Sequence, residues 1–64
     1  MITRLKLIRQ SRGMTQQQLA AKAGVSVRKL QGYECGKRAL DKAAAITVLA
    51  LARAMKCTVE DLIG

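Results

Sequence analysis

Val27, Arg28, Lys29, Gln31 and Gly32 lie close together in the chain, with two permanent cations, one amide and no acid among them. Such groups bind anions through charge-assisted hydrogen bonds and do not exchange protons near neutral pH. Residues suited to acid–base or nucleophilic work are scarce elsewhere. Histidine is absent, the acids Glu34, Asp41, Glu60 and Asp61 are scattered, and neither Cys35 nor Cys57 sits in a nucleophile motif. An enzyme is not expected, and 64 residues leave no room for a deep pocket. Without histidine or a CxxC pair, neither a metal nor a cofactor is expected. Cys35 reads either as a redox handle or, more simply, as a small buried or half-exposed thiol.

The elements that must position the basic face run from Thr15 to Lys37. Thr15 followed three residues later by Gln18 is a capping-box start. Leu19, Ala20 and Ala23 form a narrow apolar stripe, and Gly24 supplies the left-handed residue that ends the helix. Val25 plugs the corner. Ser26 is an N-cap for a second helix whose buried face is Leu30, Tyr33 and Glu34, and Gly36 ends it. The basic residues then fall between the buried positions.

Gln16, Leu19-Ala20, Gly24-Val25-Ser26, Leu30 and the Tyr33-Glu34-x-Gly36-Lys37 ending resemble the helix-turn-helix of the phage-repressor and Cro (XRE) family of DNA-binding domains. The resemblance extends upstream to Arg9 and Gly13-Met14-Thr15-Gln16, and downstream to Leu51-Ala52-x-x-Met55 and Val59-x-x-Leu62, nearly the whole chain. One departure is Cys35, where many relatives carry Asn. The resemblance implies an all-α, five-helix, lambda-repressor-like domain over residues 1–64, with helices 2 and 3 as the helix-turn-helix.

Composition is consistent with that. Half the residues are apolar, Tyr33 is the only aromatic and proline is absent, so aliphatic side chains must build the core and a sheet is disfavoured. Two cysteines do not make a disulfide framework, and a reduced, cytoplasmic setting is expected; the resemblance implies a bacterial or phage-encoded protein. Arg4, Lys6 and Arg9 interrupt any signal-like run. The apolar run Ala43 to Ala52 is too short to span a bilayer. All of the +8 net charge lies in residues 1–38, where nine bases face the single acid Glu34. A polyanion-binding surface needs this distribution, although basic surface also serves solubility.

The first helix is expected from a Thr3 cap to about Gln10 or Arg12, with Leu5 and Ile8 inward, Gly13 as terminator and Met14 as a staple. By resemblance, Arg9 pairs with Glu34 as a structural ion pair between helices 1 and 3. Asp41 is expected to cap a long helix to about Lys56, with Val48, Leu51, Ala52 and Met55 in the core. Ile46, Leu49 and Ala50 make a second apolar face, which either meets a homodimer or protein partner or packs on helix 1. Thr58 caps a last helix, from which Val59, Leu62 and Ile63 close the core.

The resemblance places Val27, Arg28, Gly32 and Lys29 at base-reading positions on double-stranded DNA, Arg28 being the prime candidate for guanine and Val27 for a thymine methyl. Gly32 reads either as permitting close approach or as a tolerated helix glycine. Phosphate contacts are expected from Gln16, Ser26, Gln31, Lys37 and Arg38, with Arg12 and Lys22 as weaker candidates. The expectation is a transcriptional regulator, a repressor, working as a dimer on a palindrome, without a small-molecule effector. The competing reading is a protein-interaction module or an antitoxin-like partner using the apolar face of helix 4. An antitoxin usually needs an additional segment to embrace its toxin, and the sequence given stops at Gly64. RNA binding lacks an aromatic stacking platform.

Overall fold

Local capping chemistry divides the chain into its helices. The structure, a computed structural model, describes residues 3–63. Thr3 caps α1 (Arg4–Ser11) by accepting the N–H of Lys6 at 3.3 Å. α2 (Gln16–Ala23) opens with the full capping box: the Gln18 N–H donates to Thr15 Oγ1 at 3.1 Å, and the Thr15 N–H donates to Gln18 Oε1 at 2.9 Å. Gly24, at φ 72°, stops it. Ser26 Oγ accepts the N–H of Lys29 at 3.1 Å and starts α3 (Val27–Glu34). The corner between α2 and α3 is thus held by a cap on each side of Val25.

The chain after α3 differs from the sequence expectation. Asp41 does not cap a long helix; it lies in a short 3-10 turn, Leu40–Lys42, and α4 (Ala45–Ala54) starts only after Ala43 and Ala44 adopt extended conformations. The Ala44 cap has no side-chain hydrogen bond. Leu40 and Ala43 pack against the core, so burial of those two side chains, rather than a cap, sets the direction in which α4 leaves.

α4 ends in a Schellman motif: the Cys57 N–H donates to Ala52 O at 2.9 Å and the Lys56 N–H to Arg53 O at 3.1 Å. Lys56 occupies the left-handed position at φ 55°, where glycine is the usual residue. Lys56→Gly is expected to stabilise the domain by about 0.5–1 kcal/mol, since relief of the left-handed penalty exceeds the added chain entropy. A rise in the denaturant midpoint at constant m-value checks this.

α5 (Val59–Ile63) follows a reciprocal cap, in which the Thr58 N–H donates to Asp61 Oδ2 at 3.0 Å and the Asp61 N–H to Thr58 Oγ1 at 3.1 Å. The Thr58 backbone N–H holds the Asp61 carboxyl below its ordinary pKa.

Leu5, Leu19, Leu30, Leu51 and Met55 are fully buried, joined by Ala20, Tyr33, Val48, Ala52, Ala54 and Leu62. α2 packs on α3 and α4, while α1 packs on α3 and α5, so the two-helix corner is braced from behind and from one side. Ile63, expected in the core, is 43% exposed: Leu62 takes the inward position and its neighbour on a helix points elsewhere. Ile46 is 78% exposed and Leu49 40%, so the second face of α4 stays largely open rather than packed on α1. No helix among the described residues is long and apolar enough to cross a membrane.

Candidate nucleic-acid interface

Glu34 is the polar hub under the site. Arg9 Nε donates to its Oε2 at 2.6 Å and Arg9 Nη2 to its Oε1 at 3.1 Å, a two-pronged pair between side chains 10% and 3% exposed. Arg9 Nη1 donates to Met14 O at 2.7 Å, and Gln16 Nε2 donates to Glu34 Oε1 at 3.0 Å. Thr3 Oγ1 donates to the Glu34 carbonyl at 3.0 Å. Glu34 and its partner Arg9 therefore tie together α1, the loop before α2, the first residue of α2 and the end of α3. Each buried polar side-chain atom among the described residues has a partner. The sequence suggested only Arg9 as a partner for Glu34; the contribution of Gln16 emerges from folding.

Above this hub lies an open groove of about 550 Å³. Arg28, Gln31 and Gly32 of α3 line it together with Lys37 and Arg38 from the loop after α3, Gln16 of α2 and Lys6 of α1. Lys6 was missed by sequence reasoning. Its signal was its spacing: three residues before Arg9, it shares a side of α1 with the residue that reaches α3. The only carboxylate in the groove is Glu34, already engaged by Arg9 and Gln16. The cations Lys6, Arg28, Lys37 and Arg38 thus create a positive cleft.

The other expected residues distribute unevenly. Val27 is half-buried and packs on the core. Lys29 and Ser26 are exposed and outside the groove, with the Ser26 oxygen accepting the helix cap. Gln31 Nε2 donates to Gln16 Oε1 at 3.3 Å, linking the outer faces of α2 and α3. Arg12 faces elsewhere, its Nε donating to Met55 O at 2.9 Å, and Lys22 lines a separate cleft with Lys56. Cys35 is exposed at the groove wall with Sγ 3.6 Å from Gly32 O. Burial raises the pKa of the Cys57 thiol, and Asp61 adds to the shift. No group of acids, cysteines and histidines able to hold a metal occurs among the described residues.

Two capped helices meeting at a glycine corner, the second with an exposed basic face, define a DNA-binding helix-turn-helix domain of lambda-repressor-like fold. Residues 5–62 match the model of a helix-turn-helix family, and the chain belongs to that family, in its Cro/C1 (XRE) branch. The fold is similar to the crystal structure of the restriction-modification controller protein C.AhdI from Aeromonas hydrophila, with a TM-score of 0.82 and 29% identity over 92% of this chain and 85% of that one. Among curated proteins, none matches this chain.

Proposed function

We propose that this protein is a sequence-specific regulator of transcription, a repressor, which lays α3 in the major groove of double-stranded DNA and acts as a homodimer on a palindromic site. The observation that carries this reading is the positive groove beside α3, in which Arg28 stands exposed in the first turn and the only acid is already paired. In a helix-turn-helix the N-terminal part of the second helix meets the base edges while the first crosses the backbone. Arg28 is then placed to bridge guanine O6 and N7, worth about 1–3 kcal/mol of discrimination. Lys6, Lys37 and the amides of Gln16 and Gln31 are suited to phosphates, and Ser26 keeps its hydroxyl proton for the same use. The likeness to a restriction-modification controller protein supports a regulatory role.

The exposed Ile46 and Leu49, with half-buried Ala50, are proposed as the face where two copies meet. Two recognition helices spaced about 34 Å apart would read half-sites one helical turn apart. The exposure of the same face also favours the second reading, an interaction module or antitoxin-like protein that grips another chain through α4.

Selection from random double-stranded DNA at about 0.15 M salt tests the proposal. Wild-type protein is expected to enrich a palindrome, and Arg28→Ala to degrade one base pair in each half. Retention without an enriched motif would sink sequence-specific regulation and leave the α4 face as the functional surface.

A further inference from the structure

Gly32 leaves a notch in α3, and Arg38 fills it. A methyl group built on Gly32 would lie 2.9 Å from Arg38 Cδ, 3.2 Å from Cγ and 3.3 Å from Nε, too close to coexist with that side chain as placed. The backbone is fastened at the same point, with the Arg38 N–H donating to Gly32 O at 3.0 Å. A residue from the loop after α3 is therefore laid across the helix by both its main chain and its stem. Glycine inside a helix is disfavoured, and no turn or positive φ requires it at this position. Close approach of Arg38 supplies the reason for it.

Gly32 lies one helical turn after Arg28 and shares its face. The Arg38 stem, out to Nε, consequently occupies the place where a side chain at position 32 would begin, next after Arg28 on that face of α3, and both residues line the groove. The Arg38 guanidinium has no carboxylate partner among the described residues, and its fork keeps donors for an external acceptor. A lysine can neutralise a phosphate as a point charge, whereas the planar guanidinium of an arginine whose stem is seated against the recognition helix offers the two-pronged geometry that guanine accepts.

We infer that Arg38, seated over Gly32, is a second base-reading arginine rather than a phosphate contact. The inference rests on the proposed reading of the α3 groove as the DNA site. Gly32 then contributes to specificity by its missing side chain, and the α3 face reads with two arginines delivered from different parts of the chain.

The test compares wild-type protein with Arg38→Ala, Arg38→Lys, Gly32→Ala and the Gly32→Ala/Arg38→Ala double variant in the same selection, with thermal unfolding run alongside. Arg38→Ala is expected to lower preference roughly tenfold at one base pair per half-site, a different pair from that lost in Arg28→Ala. Arg38→Lys keeps the charge and does not restore the preference. Gly32→Ala displaces only a flexible side chain, so it folds with an unchanged or higher Tm, yet degrades the same pair as Arg38→Ala. The double variant reads like either single one, because both remove one contact. A motif that survives Arg38→Ala while retention drops equally on all sequences overturns this inference and leaves the proposed function standing. Additive losses in the double variant overturn the link between Gly32 and Arg38. A wild-type protein that enriches no motif overturns both readings.

Discussion

Glu34→Ala is expected to lower stability by about 3–5 kcal/mol, because it leaves the Arg9 guanidinium buried without its counter-charge. The amide of Gln16 loses its partner in the same stroke. A domain of this length has about 3–10 kcal/mol in total, so the variant should be largely unfolded well below the wild-type Tm. The counterpart Arg9→Ala strands the carboxylate and should cost a similar amount. Replacing both partners with apolar residues, as in Arg9→Met/Glu34→Leu, should recover most of the loss, since the penalty comes from an unpaired buried charge rather than from the attraction itself. Urea titration of the four proteins decides this. A loss below about 1 kcal/mol in Glu34→Ala would mean that Arg9 reaches water and that the pair does not fix α3 against α1.

DNA affinity is expected to be strongly dependent on salt. If two protomers neutralise six phosphates, three each through Lys6, Lys29 and Lys37, affinity falls about 10³-fold between about 50 and 200 mM salt. Lys37→Ala should weaken binding on every sequence alike and reduce the slope of log K against log salt by about one per protomer. Fluorescence anisotropy with a labelled duplex measures both. A change of less than about tenfold over that range would mean that the positive groove does not follow the DNA backbone. A slope untouched by Lys37→Ala would remove that residue from the interface. The slope also separates the two jobs assigned to the groove, since phosphate neutralisation sets salt dependence whereas a base contact sets the preferred sequence.

Much of the helix-turn-helix was legible because its boundaries are set by contacts between near neighbours. Thr15 with Gln18, Ser26 with the Lys29 N–H, and Gly24 in the left-handed region each act within a few residues, and their chemistry is visible in the sequence. The core stripes of α2 and α4 follow from helical spacing for the same reason. The start of α4 was not legible. Asp41 is a good cap in isolation, yet burial of Leu40 and Ala43 outweighs a cap worth about 1 kcal/mol and moves the helix start to Ala45.

The sequence by itself determined that this is a short all-helical chain, that its positive charge is concentrated in the first 38 residues, and that α3 carries an acid-free outer face. Only the tertiary structure decided which residues share the groove. Lys6 arrives there from α1, Gln16 turns its amide to Glu34, and Arg38 folds back over Gly32. The physical reason is that caps and stripes are local and periodic, so they leave a pattern along the chain. A carboxylate clasped by side chains 25 and 18 residues away leaves no such pattern, because those distances close only when the helices pack.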